Sequence, residues 1–128
     1  MPSWDSYKTE ARARGALALE LYVAHSVPAG DPAAVKAALP DHLAYQARLE
    51  AEGKLALAGP LSDETGTQME GMGMIVYRAE SLEAARALAE ADPMHRAGAR
   101  SFTLRRWLIN EGSLTLSVGL SGKTVALS

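Results

Sequence analysis

From Ala16 onward the chain alternates. In ALALELYVAH, Leu17, Leu19, Leu21 and Val23 fall on one side, and Ala18, Glu20, Tyr22 and Ala24 on the other. A period of two over this length predicts a strand with one well-buried face. SVPAGD interrupts it, because Pro28 and Gly30 are turn residues and Asp31 can cap a following helix. The spacing then becomes helical through PAAVKAALPDHLAYQARLEAEG, with a kink or restart expected at Pro40 and the main body over residues 41–52. In that body Tyr45 and Leu49 share a stripe, and Gly53 is a natural stop. KLALAGP, from Lys54, reads as a short strand, LSDETGTQMEG as a polar loop, and Met72 to Tyr77 as a strand. SLEAARALAEA is a second helix, capped by Ser81, with Leu82, Ala85, Leu88 and Ala89 inward. Arg100 to Ile109 is the last core strand.

The order β-α-β-β-α-β predicts an α+β, ferredoxin-like domain over residues 16–110, with an antiparallel sheet and both helices on one face. The other face, assigned to Tyr22 and the small alanines, is left uncovered and invites a partner, a second copy being the simplest. Residues 1–15, with charges of both signs plus Trp4 and Tyr7, read as a loosely packed N-terminal arm. Residues 111–128 contain SLTLSVGLSGKTVALS, two alternating runs around a glycine turn. They predict a C-terminal hairpin extension that adds to a sheet, its own or a partner's, since a lone hairpin is marginal in water.

Composition narrows the function. At 128 residues and 48% apolar content the chain suits one core. A net charge of −2 gives no footprint for nucleic acid, and no stretch has the length of a membrane span. The absence of cysteine excludes thiol chemistry, disulfides and zinc-thiolate sites. With no export-type apolar segment at the N-terminus, a cytoplasmic location is expected. Neither HxH nor HExxH supports a metal, and no GxGxxG, Walker glycine run or Ser-centred elbow supports a nucleotide or acyl chemistry, so no cofactor is expected.

The polar candidates are few. In AEADPMHRAG, Asp92 before Pro93 can simply end a helix and begin a turn, or it can face a site. His42, in the first turn of the main helical body, is open to the same two readings. His25 is expected at a strand end, satisfied by backbone, and His95 in solvent. Arg100, Arg105 and Arg106 are expected in surface or inter-subunit ion pairs, with one of them free to face an anionic substrate. Sequence spacing alone does not bring His42 and Asp92 together.

DHLAYQARLEAEGKLALAGPL followed by GMGMIVYRAESLEAARALAEADPMHRAG resembles the YciI-like (YCII-related) family. The shared marks are His42-Leu43, Ala58-Gly59-Pro60, Glu83-Ala84-Ala85, Asp92-Pro93 and Ala97-Gly98. The resemblance covers roughly Leu17 to Ile109. It departs in two places: Ala-Leu-Pro-Asp stands before the histidine where relatives often carry an Arg, and Met94 follows Asp-Pro where relatives often carry an aromatic. Both changes reshape a pocket wall.

The resemblance implies a dimeric α+β barrel of ferredoxin-like subunits and a pocket in which His42 and Asp92 form a catalytic pair. His42 would move the proton and Asp92 would orient its ring. Tyr45, Gly59, Pro60 and Met94 are the expected substrate-pocket residues. The resulting expectation is a cofactor-independent lyase or isomerase acting on a cyclic or aromatic small molecule, as a homo-oligomer. The alternative is a non-catalytic dimeric binding or accessory module that keeps the pocket for a ligand.

Overall fold

The computed structural model describes residues 1–128. It contains α1 (Trp4–Ala13), β1 (Leu19–Pro28), α2 (Pro32–Ala51), β2 (Leu55–Ser62), β3 (Met69–Tyr77), α3 (Leu82–Glu90), α4 (Pro93–Arg96), β4 (Arg100–Ile109), β5 (Leu116–Gly119) and β6 (Thr124–Leu127). β2-β3-β1-β4 form one four-stranded sheet and β5-β6 a separate two-stranded one. The β1-α2-β2-β3-α3-β4 order and this strand arrangement make the fold α+β and ferredoxin-like. No helix is long and apolar enough to cross a membrane. The chain divides into two compact units, Glu20–Trp107 and the segments Met1–Leu19 with Leu108–Ser128.

In the larger unit the core consists of Tyr22 and Ala24 from β1, Tyr45 and Leu49 from α2, Ile75 and Tyr77 from β3, and Ala85 and Ala89 from α3. The covered face of β1 is therefore the Tyr22-Ala24-Ser26 side, the reverse of the face expected from the leucines. α3 buries two alanines, Ala85 and Ala89, with Leu82 and Leu88 packed beside them, and the Tyr22 and Tyr77 rings from the strands fill the space against these small side chains. Val23 and His25, on the other side of β1, are only half-buried.

α2 runs unbroken through Pro40 instead of restarting there. Pro40 and Lys36 are both exposed, so water can hydrate the Lys36 carbonyl that proline leaves without an amide partner. Asp31 caps the helix by accepting from the Ala33 amide at 2.9 Å. His42 consequently sits in mid-helix, not in a first turn.

β3 pairs antiparallel with both neighbours, and the registers Ser26↔Gly73 and Pro60↔Gly73 align one row across three strands. Gly71, just before that row, has φ +88°, and a Cβ there would lie 2.7 Å from Pro28 Cγ. Gly71→Ala is therefore expected to lower stability by about 1–3 kcal/mol, from left-handed strain plus the clash. Urea unfolding of the variant against wild type measures it.

In the smaller unit the first fifteen residues hold a helix where a loose arm was expected. Ser3 accepts from the Ser6 amide at 3.1 Å, and Asp5 stands in the first turn. Trp4, Tyr7 and Ala11, at helical spacing, share a small core with Ala16, Ala18 and Leu108. The tail forms the expected hairpin, with Leu116↔Leu127 and Gly119↔Thr124 in register. It does not join the four-stranded sheet, and the left-handed residue at its turn is Lys123, φ 52°, not a glycine.

Candidate functional site

A cavity of about 570 Å³ lies over the helix-covered face of the sheet, at the end of β1 and the start of β3. The Ser26, Gly73 and Pro60 row is part of its wall. Gly59 and Gly73 leave backbone bare there, and a Cβ on Gly73 would meet only the Gly59 carbonyl at 3.5 Å. α2 contributes Val35, Leu39, His42, Leu43 and Gln46. These recur at helical spacing on one side of the helix, while Tyr45 and Leu49 form a second stripe turned to the core.

His42, in this wall, meets Asp92 buried behind it. His42 Nδ1 lies 2.8 Å from Asp92 Oδ1 and 2.9 Å from Oδ2. Asp92 is 1% exposed, whereas the His42 side chain is 15% exposed. Asp92 does not merely end α3. It is the N-cap of α4, and its Oδ1 also accepts from the Met94 amide at 2.9 Å. A carboxylate only accepts, so the contact requires the proton on Nδ1 of a neutral His42 and leaves Nε2 as the lone-pair nitrogen. The sequence Asp-Pro thus has a local reason and a long-range one: Pro93 sets the first turn of α4, and the same carboxylate fixes a ring fifty positions away in the chain.

Of the expected pocket residues, Gly59, Pro60 and Met94 line the cavity. Tyr45 does not. It is 8% exposed, and its hydroxyl donates to the Leu88 carbonyl at 2.7 Å; three residues beyond His42 the helix has turned it into the core, where burial raises its pKa.

Ser26, which no motif marks, and Arg100, one of the three arginines of which one is free to face an anionic substrate, both line the cavity. Arg100 Nε donates to Ser26 Oγ at 2.8 Å, and Nη2 donates to the Ser26 carbonyl at 2.7 Å and to the Gly71 carbonyl. His95, expected in solvent, lies partly buried beside them. Its Nδ1 donates to the Ala89 carbonyl at 2.7 Å, which leaves Nε2 to accept from the Ser26 hydroxyl at 2.8 Å. The ring also packs on Phe102, centroids 4.7 Å apart. The one signal for Ser26 is its parity with Tyr22 and Ala24 on β1; for Arg100 it is the charge it shares with Arg105 and Arg106, which does not say which of the three faces the site. His25 lines a separate small cavity with Val23, Thr103 and Trp107.

Burial holds His95 below the ordinary 6.5 of imidazole, the cation being the form that desolvation penalises. As the pH falls, the unfolded chain takes up this proton before the folded one. The group's contribution to stability is therefore complete above pH 6.5 and is lost as the pH drops below it. Thermal unfolding is expected at a lower temperature on acidification past that point, and His95→Asn is expected to shrink the difference.

The family model for the YCII-related domain matches residues 20–108. The uncharacterized protein YjpA of Bacillus subtilis is 36% identical over 70 residues, covering 55% of this chain and 75% of that protein. Among solved structures, the 5-chloro-2-hydroxyhydroquinone dehydrochlorinase TftG of Burkholderia phenoliruptrix, in complex with 2,5-dihydroxybenzoquinone, superposes with a TM-score of 0.56 at 27% identity. That superposition covers 68% of this chain and 92% of the dehydrochlorinase.

Proposed function

The chain belongs to the YCII-related domain family, and from that premise we propose that it is a small enzyme, a lyase or isomerase, in which His42 moves a proton on a cyclic or aromatic compound and Asp92 holds the ring for it. The observation that carries this reading is the His42–Asp92 contact at 2.8 Å in the wall of a cavity large enough for such a ligand. The structural likeness to a dehydrochlorinase supports the substrate class.

In this reading His42 Nε2 accepts a proton from a C–H or O–H of the bound ring. The imidazolium that forms keeps its Nδ1–H on Asp92, whose negative charge stabilises it. In a lyase step the electron pair left on the ring expels a leaving group from the adjacent carbon. In an isomerase step the imidazolium returns the proton at a different carbon. A ring bound against the apolar lining would displace water from the His42 side of the pair, and Gly59 with Pro60 lets the ligand approach backbone.

The test is a panel of hydroxylated and halogenated ring compounds, followed by product analysis. Conversion by wild type that disappears in His42→Ala supports the enzyme. A ligand that binds tightly and is returned unchanged after long incubation favours the binding module instead. We also propose a homodimer in which a second copy covers the open sheet face bearing Val23 and His25. Light scattering at micromolar concentration is expected to give twice the chain mass; a monomer contradicts it.

A further inference from the structure

Arg100 is the only Lys, Arg, Asp or Glu in the cavity lining. Its protein acceptors are all neutral: the Ser26 hydroxyl, the Ser26 carbonyl and the Gly71 carbonyl. These bonds engage Nε and Nη2 and leave Nη1 without a protein acceptor. Asp92 acts on Arg100 through space but makes its hydrogen bonds to His42 and the Met94 amide. His95 adds no charge, because burial disfavours its cation and its Nε2 is used as an acceptor for Ser26.

Ser26 is 3% exposed and tied to His95, which is itself tied to the Ala89 carbonyl. The guanidinium is thus held in a fixed orientation by a buried relay instead of swinging on its stem, at the edge of a cavity walled by Val35, Leu39, Leu43, Met72, Met74 and Met94. No carboxylate pairs directly with this permanent cation, Asp92 acting on it only through space, so a ligand anion can form the direct charge-assisted hydrogen bond that the apolar wall does not supply.

We infer that Arg100 makes this cavity a site for small ring compounds that carry an oxyanion, whether phenolate, enolate or carboxylate, received on the open Nη1 edge of the guanidinium. The inference rests on the cavity being the ligand site of the acid–base reading above. In that setting the oxyanion anchors one side of the ring and leaves the remainder to reach His42, so Arg100 selects ligands by charge while His42 handles the proton. Ser26 and His95 are positioning residues that act through Arg100.

The test uses the full chain and 4-nitrophenol, which ionises near neutrality and becomes yellow as it does. Wild type is expected to bind the phenolate in preference to the phenol, so the bound probe turns yellow at a lower pH than the free one. Benzoate is expected to displace it and benzamide, the same ring without the charge, is not. Arg100→Gln is expected to abolish the phenolate preference and weaken binding by about tenfold or more, while Arg100→Lys keeps the preference with weaker binding.

Equal binding of phenol and phenolate by wild type, equal displacement by benzoate and benzamide, or no binding of either anion at millimolar concentration overturns the inference, and none of these readouts depends on a variant folding. His42→Ala separates the two proposals. If it keeps the phenolate preference but loses turnover, both stand. If it keeps turnover while Arg100→Gln loses the anion, the acid–base reading fails and the anion site remains.

Discussion

His42→Ala is expected to lower turnover by about 10²–10⁴-fold, the usual worth of a positioned general acid or base. Little of that loss should come from the fold. His42 lies on the cavity side of α2, away from the Tyr45 and Leu49 stripe that packs the core, and its one protein partner is Asp92. Alanine is also the best helix former, so the α2 backbone should tolerate the change. Steady-state rates on a converted ring compound, read beside thermal unfolding, separate the two effects. A variant that is folded, binds the ligand and turns over at the wild-type rate would contradict the assignment of His42.

Asp92→Ala is expected to lower unfolding free energy by about 2–4 kcal/mol, through loss of the α4 cap together with unsatisfied partners in a buried place. Both the Met94 amide and the His42 Nδ1–H lose their acceptor. Asp92→Asn divides the two roles. Its carbonyl oxygen can still cap α4, so stability should stay within about 1 kcal/mol of wild type. Its amide group, however, offers hydrogens where the second carboxylate oxygen stood, which favours the other His42 tautomer and puts a proton on Nε2. Turnover should then fall by about 10²-fold or more, as expected for a misdirected base. If Asp92 were only a helix cap, the Asn variant would be near wild type in both measurements.

Much of this arrangement was legible before any coordinates. Alternation placed β1, the Ser81 cap placed α3, and the element order led to the ferredoxin-like fold. Motif marks point to His42, Asp92, Gly59 and Pro60, and the departure from the motif points to Met94; all five lie at or beside one cavity. Other features depend on information that local patterns do not carry. Which face of β1 is buried depends on how much volume α3 brings, and its alanines reverse the choice that the leucines suggest. Tyr45 was assigned to the pocket because it is one turn from His42, but α2 carries two stripes and Tyr45 belongs to the other. Pro40 reads as a break unless one knows that its turn faces water. The helix in residues 4–13 was signalled by Trp4, Tyr7 and Ala11 at helical spacing, a pattern masked by the surrounding charges. Ser26 lies 69 and 74 positions from His95 and Arg100, and only the neighbouring of β1 and β4 in the sheet brings it to them.

The Asp92 carboxylate against Nδ1 holds the His42 proton on that nitrogen and leaves the lone pair on Nε2. Nitrogen-15 NMR of the imidazole in its neutral form measures this directly, in wild type and in Asp92→Asn. The structure predicts a protonated Nδ1 and a bare Nε2 in wild type, with the proton moving toward Nε2 in the variant. A wild-type ring protonated on Nε2, or the same tautomer population in both proteins, would contradict the account.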